Sequence, residues 1–258
     1  MWIGLMLLLS CCALHANVPA RSVSRAGRAL ETPRTREVPD EAERDFRSGV
    51  RFAEGDGVPQ DYARAAQHYR RAAEKGHIPA QYNLAYLYEN GLGVDKNPEE
   101  AACWYRKAAE KGDAESQVNL GVLYSAGTGV AQSDIEAARW YARAAEQGDL
   151  RGISNLGSMY LQGRGVTRDV KQAFVLFEKA AMQGYAVAQN NLALLYANGQ
   201  GVARNYEQAY AWLLVASEKL PAAAALRDKI ASVMTPQQIH RAQDLANRKR
   251  GQIGAKSE

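Results

Sequence analysis

Residues 80–112 read AQYNLAYLYENGLGVDKNPEEAACWYRKAAEKG, and the pattern in this stretch decides the fold. Its Gly-x-Gly-Val tetrapeptide recurs every 36 residues, at positions 55–58, 91–94, 127–130, 163–166 and 199–202. A fixed period of roughly 20 to 50 residues is typical of a solenoid, in which each unit buries its apolar face by stacking on its neighbours. We therefore expect an elongated repeat protein whose function lies on an extended surface.

Each repeat predicts two helices joined by the glycine turn. Leu84 and Leu87 lie on one stripe of a first helix. The glycines that follow can adopt the left-handed conformation that ends a helix and reverses the chain. Asn97 then offers an N-cap and Pro98 a first-turn proline, which together predict the start of a second helix. The predicted fold class is all-α, a right-handed α-solenoid (superhelix) of helix-turn-helix repeats.

The domain boundaries follow from the 36-residue period. We predict five repeats, at residues 41–76, 77–112, 113–148, 149–184 and 185–220. Residues 221–250 lack the glycine turn but contain two helix signals, which predict a pair of C-terminal capping helices with polar outer faces. Residues 251–258 are predicted to form a disordered tail.

Residues 41–220 resemble the Sel1-like repeats, a family related to the tetratricopeptide repeat, and residues 80–112 match its pattern almost position by position. The resemblance implies a helical scaffold that assembles macromolecular complexes. Some Sel1-like proteins are described as β-lactamases, especially cysteine-rich ones with a disulfide in each repeat. This chain has only three cysteines and no Ser-x-x-Lys nucleophile set, so that activity is not carried over.

Composition and motifs predict neither catalysis nor nucleic-acid binding. The net charge of +4 comes from basic and acidic residues that alternate along the chain, without a basic patch. The four histidines are scattered, and no HExxH, CxxC, Gly-x-Ser-x-Gly or P-loop pattern occurs. We therefore predict no enzyme, no cofactor, no metal site and no nucleic-acid partner. Beyond Cys11 and Cys12 only Cys103 remains, so the repeats must be held together by helix packing.

The N-terminus predicts export. Residues 2–9 are apolar and uncharged, which is too short for a membrane span but sufficient for a signal peptide, predicted at residues 1–16. Leu-Leu-Ser-Cys at residues 8–11 resembles a bacterial lipobox with lipidation at Cys11, whereas cleavage after Ala16 or Ala20 is the competing interpretation. Residues 17–40 are predicted to be a flexible tether. We expect a periplasmic protein or a membrane-anchored lipoprotein of a Gram-negative bacterium, which contacts the membrane only through such an anchor.

One position of the first helix carries asparagine in four successive repeats, Asn83, Asn119, Asn155 and Asn191. Further candidates on the same face are Tyr86, Asn90, Val122, Ser158, Gln162 and Asn198. In the related tetratricopeptide domains, first helices line the concave surface, where such an asparagine can hold the backbone or terminal carboxylate of a peptide. The resemblance therefore implies a partner-binding face. The alternative is that these asparagines bond to a neighbouring helix and maintain the stack.

The leading hypothesis is a monomeric, non-enzymatic scaffold or adaptor of the bacterial cell envelope that binds a protein segment on its concave face. Two other hypotheses remain open. One is an envelope hydrolase, β-lactamase-like or directed at the cell wall, with residues assembled across repeats. The other is non-catalytic binding of a glycan or peptide through aromatic residues such as Tyr86 and Tyr185.

Overall fold

The computed structural model describes residues 40–254, and every regular element in this part of the chain is an α-helix. Its twelve helices are α1 (Glu41–Glu54), α2 (Tyr62–Glu74), α3 (Ile78–Asn90), α4 (Pro98–Glu110), α5 (Ala114–Ala126), α6 (Asp134–Glu146), α7 (Leu150–Gln162), α8 (Val170–Ala181), α9 (Ala186–Asn198), α10 (Tyr206–Ala216), α11 (Ala222–Ala231) and α12 (Pro236–Gly254). The predicted signal peptide, Cys11 and the predicted tether up to residue 39 lie outside the described residues. Between residues 40 and 254, no helix is both long enough and apolar enough to cross a membrane.

The odd-numbered helices α1 to α9 are the first helices of the five hairpins, and each ends on a glycine. These five glycines have φ between 67° and 74°, the left-handed region in which a side chain would be strained: Gly55, Gly91, Gly127, Gly163 and Gly199. The N–H of Gly163 donates to the carbonyl of Met159 at 2.8 Å, and the other four close the last helical turn in the same way. The first glycine of each Gly-x-Gly-Val turn therefore ends a helix, as the sequence predicts.

The second glycine of the turn has a different role, because it touches the preceding hairpin. A Cβ added at Gly93 would lie 2.2 Å from the backbone carbon of Tyr62, and one added at Gly129 would lie 2.1 Å from the carbonyl oxygen of Pro98. Tyr62 and Pro98 are the first residues of α2 and α4. Successive hairpins thus meet backbone to backbone, at a point where only glycine leaves enough room.

The chain divides into two compact units, whose described parts are residues 40–140, the N-terminal unit, and residues 141–254, the C-terminal unit. In the N-terminal unit, Leu84 and Leu120 are fully buried, as the period predicts. The rings of Tyr82 and Tyr105 pack edge to face, with centroids 5.7 Å apart. Alanine pairs of the second helices, at positions 72–73 and 108–109, are at most 1% exposed, which allows close approach of the first helices.

The core of the C-terminal unit contains Phe177, Leu192 and Trp212, and it continues into α11 and α12. Ala242 of α12 is fully buried. α12 also extends to Gly254, so the disordered tail predicted at residues 251–258 does not begin at residue 251. The extension has a packing reason, because Ile253 lies against the buried residues of this unit.

Candidate functional site

The asparagines of the first helices in the N-terminal unit bond to tyrosines of the preceding second helices. Asn83 on α3 is fully buried and is hydrogen-bonded to the hydroxyl of Tyr69 on α2, which is 1% exposed. Asn119 on α5 is half-buried and is hydrogen-bonded to Tyr105 on α4 in the same way. The alternative that these asparagines maintain the stack therefore has direct structural support at two of the four positions.

Burial makes these tyrosines permanent hydrogen-bonding groups. It raises the pKa of Tyr69 because a phenolate there would lose its hydration, although the hydrogen bond from Asn83 acts in the opposite direction. Burial also raises the pKa of Tyr105, and the nearby carboxylate of Glu89 adds to this effect. The hydroxyl of Tyr105 donates to Oε2 of Glu89 at 2.8 Å. Both tyrosines therefore stay neutral at physiological pH.

The C-terminal unit treats the same asparagine position differently. Phe177 on α8 lies one period after Tyr141, at the place that Tyr69 and Tyr105 fill in earlier repeats, so this ring offers no hydroxyl to Asn191 on α9. Asn155 on α7 and Asn191 on α9 are both half-buried. Neither side chain makes a hydrogen bond within residues 40–254. Their amide groups are therefore available to a ligand, whereas those of the N-terminal unit are engaged.

The other predicted surface residues lie at half-buried or exposed positions of the first helices. Tyr86, Val122 and Ser158 are half-buried, and Asn90, Gln162 and Asn198 are exposed. Burial raises the pKa of Tyr86, so its hydroxyl stays protonated. The side chain of Asn90 donates to the carbonyl of Tyr86 at 2.9 Å, and that of Ser158 to the carbonyl of Ser154 at 3.2 Å. The partner-binding role of these residues stays a prediction.

A second set of repeated polar residues was not predicted from the sequence. Buried glutamines at the start of three first helices reach back to the last turn of the preceding second helix: Gln81 donates to the carbonyl of Ala73 at 3.0 Å, Gln117 to Ala109 at 3.0 Å and Gln189 to Ala181 at 3.1 Å. The fourth member of the series is Ile153. The same 36-residue period that revealed the asparagines would have found these glutamines.

The described residues offer few groups for catalysis. Between residues 40 and 254, no cluster of three or more His, Cys, Asp or Glu residues could hold a metal ion. Cys103 is exposed on α4 with a free thiol. His77 has a structural role, since its Nδ1 accepts from the N–H of Ala80 at 3.2 Å and caps α3.

Comparison with known proteins shows that these hairpins match a known family of helical repeats. The family described as "Sel1 repeat" matches residues 46–77, 78–113, 114–149, 151–185 and 186–219. No curated protein matches the chain.

The chain is similar to solved structures, among which are the following three. A Sel1 repeat protein from Oxalobacter formigenes is 32% identical with a TM-score of 0.71, over 80% of this chain and 84% of that one. An immunity protein from Pseudomonas aeruginosa is 24% identical with a TM-score of 0.50, over 84% and 83% of the two chains. A protective antigen of uropathogenic Escherichia coli with an SLR fold is 25% identical with a TM-score of 0.40, over 83% and 70%. Together with the twelve helices, the family match and the first of these structures confirm the predicted fold class, an all-α solenoid of repeated hairpins.

Proposed function

Because the chain belongs to the Sel1 repeat family, as its sequence predicts, we propose that it is a non-enzymatic scaffold of the bacterial cell envelope that binds a protein segment on its first helices. Sel1 repeat proteins generally mediate protein–protein interactions, and their fold is typically a non-catalytic scaffold. The envelope location rests on the apolar leader at residues 2–9. The binding face rests on the repeated asparagines.

One observation supports the location of the binding face. Asn155 and Asn191 present half-buried amides without a hydrogen bond among the described residues, while Asn83 and Asn119 are bonded to tyrosines. A side-chain amide provides both a donor and an acceptor, the two groups that the backbone of an extended peptide needs. We therefore assign the binding of an extended segment to α7 and α9.

The binding face is tested by removing the two available amides. The full chain with Asn155→Ala and Asn191→Ala is compared with the unchanged chain, first in pull-downs from envelope extract and then by calorimetry with the purified partner. Each lost hydrogen bond contributes about 0.5–1.5 kcal/mol, so the double variant should bind roughly tenfold more weakly with unchanged helicity.

The control variant is Val175→Ala, which changes an exposed residue on the second helix α8 of the same unit. It should bind the partner like the unchanged chain. Equal affinity of the double variant and the control would refute the assignment of this face.

The envelope location is tested at the leader. In the producing bacterium, incorporation of a palmitate analogue that is lost in Cys11→Ala would support a lipid anchor, and a mature chain that begins after Ala16 or Ala20 would support conventional cleavage. A chain that stays in the cytoplasm with its leader intact would contradict the proposed location.

A further inference from the structure

The aromatic ring that precedes α9 differs from the one that precedes α3. Asn83 on α3 is hydrogen-bonded to Tyr69, which lies 14 residues earlier on α2. The residue 14 positions before Asn191 is Phe177 on α8, whose ring carries no hydroxyl. The two pairs are three periods of 36 residues apart, so they can be compared position by position.

The rings of Tyr69 and Phe177 pack against equivalent positions of the first helices. Tyr69 is 1% exposed and Phe177 is fully buried. A Cβ added at Gly49 on α1 would lie 2.6 Å from Cδ1 of Tyr69, and one added at Gly157 on α7 would lie 2.9 Å from Cε1 of Phe177. Each glycine lies 20 residues before its ring. A hydroxyl added to Phe177 would therefore point as that of Tyr69 does, toward the asparagine of the next first helix.

The two asparagines differ in how far a ligand can reach them. Asn83 is fully buried, whereas Asn191 is half-buried. Asn191 makes no hydrogen bond within residues 40–254, and its amide offers both a donor and an acceptor. The missing hydroxyl at Phe177 thus coincides with an amide that is accessible from outside.

We propose that Phe177 is a specificity-determining residue of the partner-binding face, because its bare ring leaves the amide of Asn191 free to bond to the backbone of the bound segment. A tyrosine hydroxyl at this place would occupy the amide and compete with the segment. Phe177 is a positioning residue that acts through Asn191, since its buried ring cannot touch a partner. Asn155 lies outside this inference, because it makes no hydrogen bond although Tyr141 retains the hydroxyl. The inference rests on the proposed function for the ligand, but the state of the Asn191 amide can be measured without it.

The first test is hydrogen exchange of the Asn191 side-chain amide, followed by NMR in the ¹⁵N-labelled full chain. In Phe177→Tyr the added hydroxyl should accept a hydrogen bond from this amide and slow its exchange about tenfold. The matched control is Phe177→4-methylphenylalanine, which adds a group of similar size at the same place that accepts no hydrogen bond. Its Asn191 amide should exchange as in the unchanged chain.

The reciprocal variant removes a hydroxyl from the N-terminal unit. Asn119 on α5 is half-buried and is hydrogen-bonded to Tyr105. Tyr105→Phe should speed the exchange of the Asn119 amide about tenfold and leave that of Asn83 unchanged. Phe177 shows that a bare ring is accepted at this place in a repeat, so this variant decides the matter even if Phe177→Tyr does not fold.

The second test measures the affinity for the partner that the unchanged chain captures from envelope extract. In calorimetry, Phe177→Tyr should bind this partner about three- to tenfold more weakly, which corresponds to one lost hydrogen bond. Phe177→4-methylphenylalanine should bind like the unchanged chain. Phe177→Tyr combined with Asn191→Ala should bind no more weakly than Asn191→Ala alone, because both changes act on the same amide.

The inference is overturned if exchange of the Asn191 amide is the same in a folded Phe177→Tyr variant, or if that of Asn119 is the same in Tyr105→Phe. Equal affinities of Phe177→Tyr and the unchanged chain would also overturn it, and so would an equal loss in the 4-methylphenylalanine control. Slowed exchange at Asn191 together with failure of the unchanged chain to capture any partner would support the control of this amide by Phe177 and refute the proposed function.

Discussion

Replacing Gly129 with alanine tests how successive hairpins are joined. Gly129 has φ +68°, and an added Cβ would lie 2.1 Å from the carbonyl oxygen of Pro98 and 2.8 Å from the nitrogen of Glu99. Ordinary van der Waals contact begins near 3.4 Å, so the first turn of α4 would have to retreat by about 1 Å in a close-packed interior. We expect a loss of about 2–5 kcal/mol, of which about 1–2 kcal/mol comes from the left-handed backbone and the rest from overpacking.

The matched control is Gly57→Ala in the first repeat. Gly57 has the same φ of +68°, but the nearest atom to its added Cβ is a guanidinium nitrogen of Arg51 at 3.7 Å. It should therefore cost only the backbone part, about 1–2 kcal/mol. Urea unfolding followed by circular dichroism and tryptophan fluorescence gives both values, and their difference isolates the contact between hairpins. Equal losses for the two variants would refute the backbone-to-backbone joint.

Three further predictions concern polar groups of the N-terminal unit. Asn83→Leu alone should lower the free energy of unfolding in urea by about 1–3 kcal/mol, because it leaves the hydroxyl of Tyr69 buried without this partner. The double variant with Tyr69→Phe should lose less than the sum of the two single variants. Strict additivity would contradict the hydrogen bond between the two side chains. Burial raises the folded-state pKa of Tyr69 and Tyr105 above the unfolded-state value near 10. The contribution of the two neutral tyrosines to the stability of the fold is therefore complete below about pH 10 and is lost as the pH rises through the folded-state pKa. The melting temperature should fall above about pH 10, less steeply in Tyr69→Phe, and identical slopes would count against this explanation. Burial acts to raise the pKa of Asp45, but hydrogen bonds, led by the one from Arg71, outweigh burial, so the pKa is lowered on folding. The ionised Asp45 therefore stabilises the folded state above its unfolded-state pKa near 3.9, and this stabilisation is lost as the pH falls. Asp45→Asn should therefore lower the free energy of unfolding by about 1 kcal/mol at pH 7 and by nearly nothing at pH 2, and a loss that does not change with pH would argue against the ion pair.

Repetition explains why so much of the fold could be predicted from the sequence. The glycine turn, the cap at Asn97 and the buried alanines each recur with the same period, so five copies support each local interpretation. The role of the second glycine was not predicted, because it depends on the closeness of another hairpin, which is visible only in three dimensions.

The candidate site was less predictable because its members differ in their partners. Asn83 and Asn191 occupy equivalent positions, yet the first is bonded to Tyr69 and the second faces a repeat in which Phe177 replaces that tyrosine. Comparing the asparagine position alone between repeats does not reveal this difference, since the residue that decides whether the asparagine is bonded lies 14 positions earlier, on another helix.

Photo-crosslinking in intact cells tests the proposal that a protein partner binds the first helices of the C-terminal unit. A benzophenone amino acid is placed at Ser158 on α7 or at Val175 on α8 of the full chain, and the adducts are identified by mass spectrometry. We predict one abundant protein adduct from Ser158 and none from Val175. No adduct from Ser158, or the same adducts from both positions, would contradict the claim.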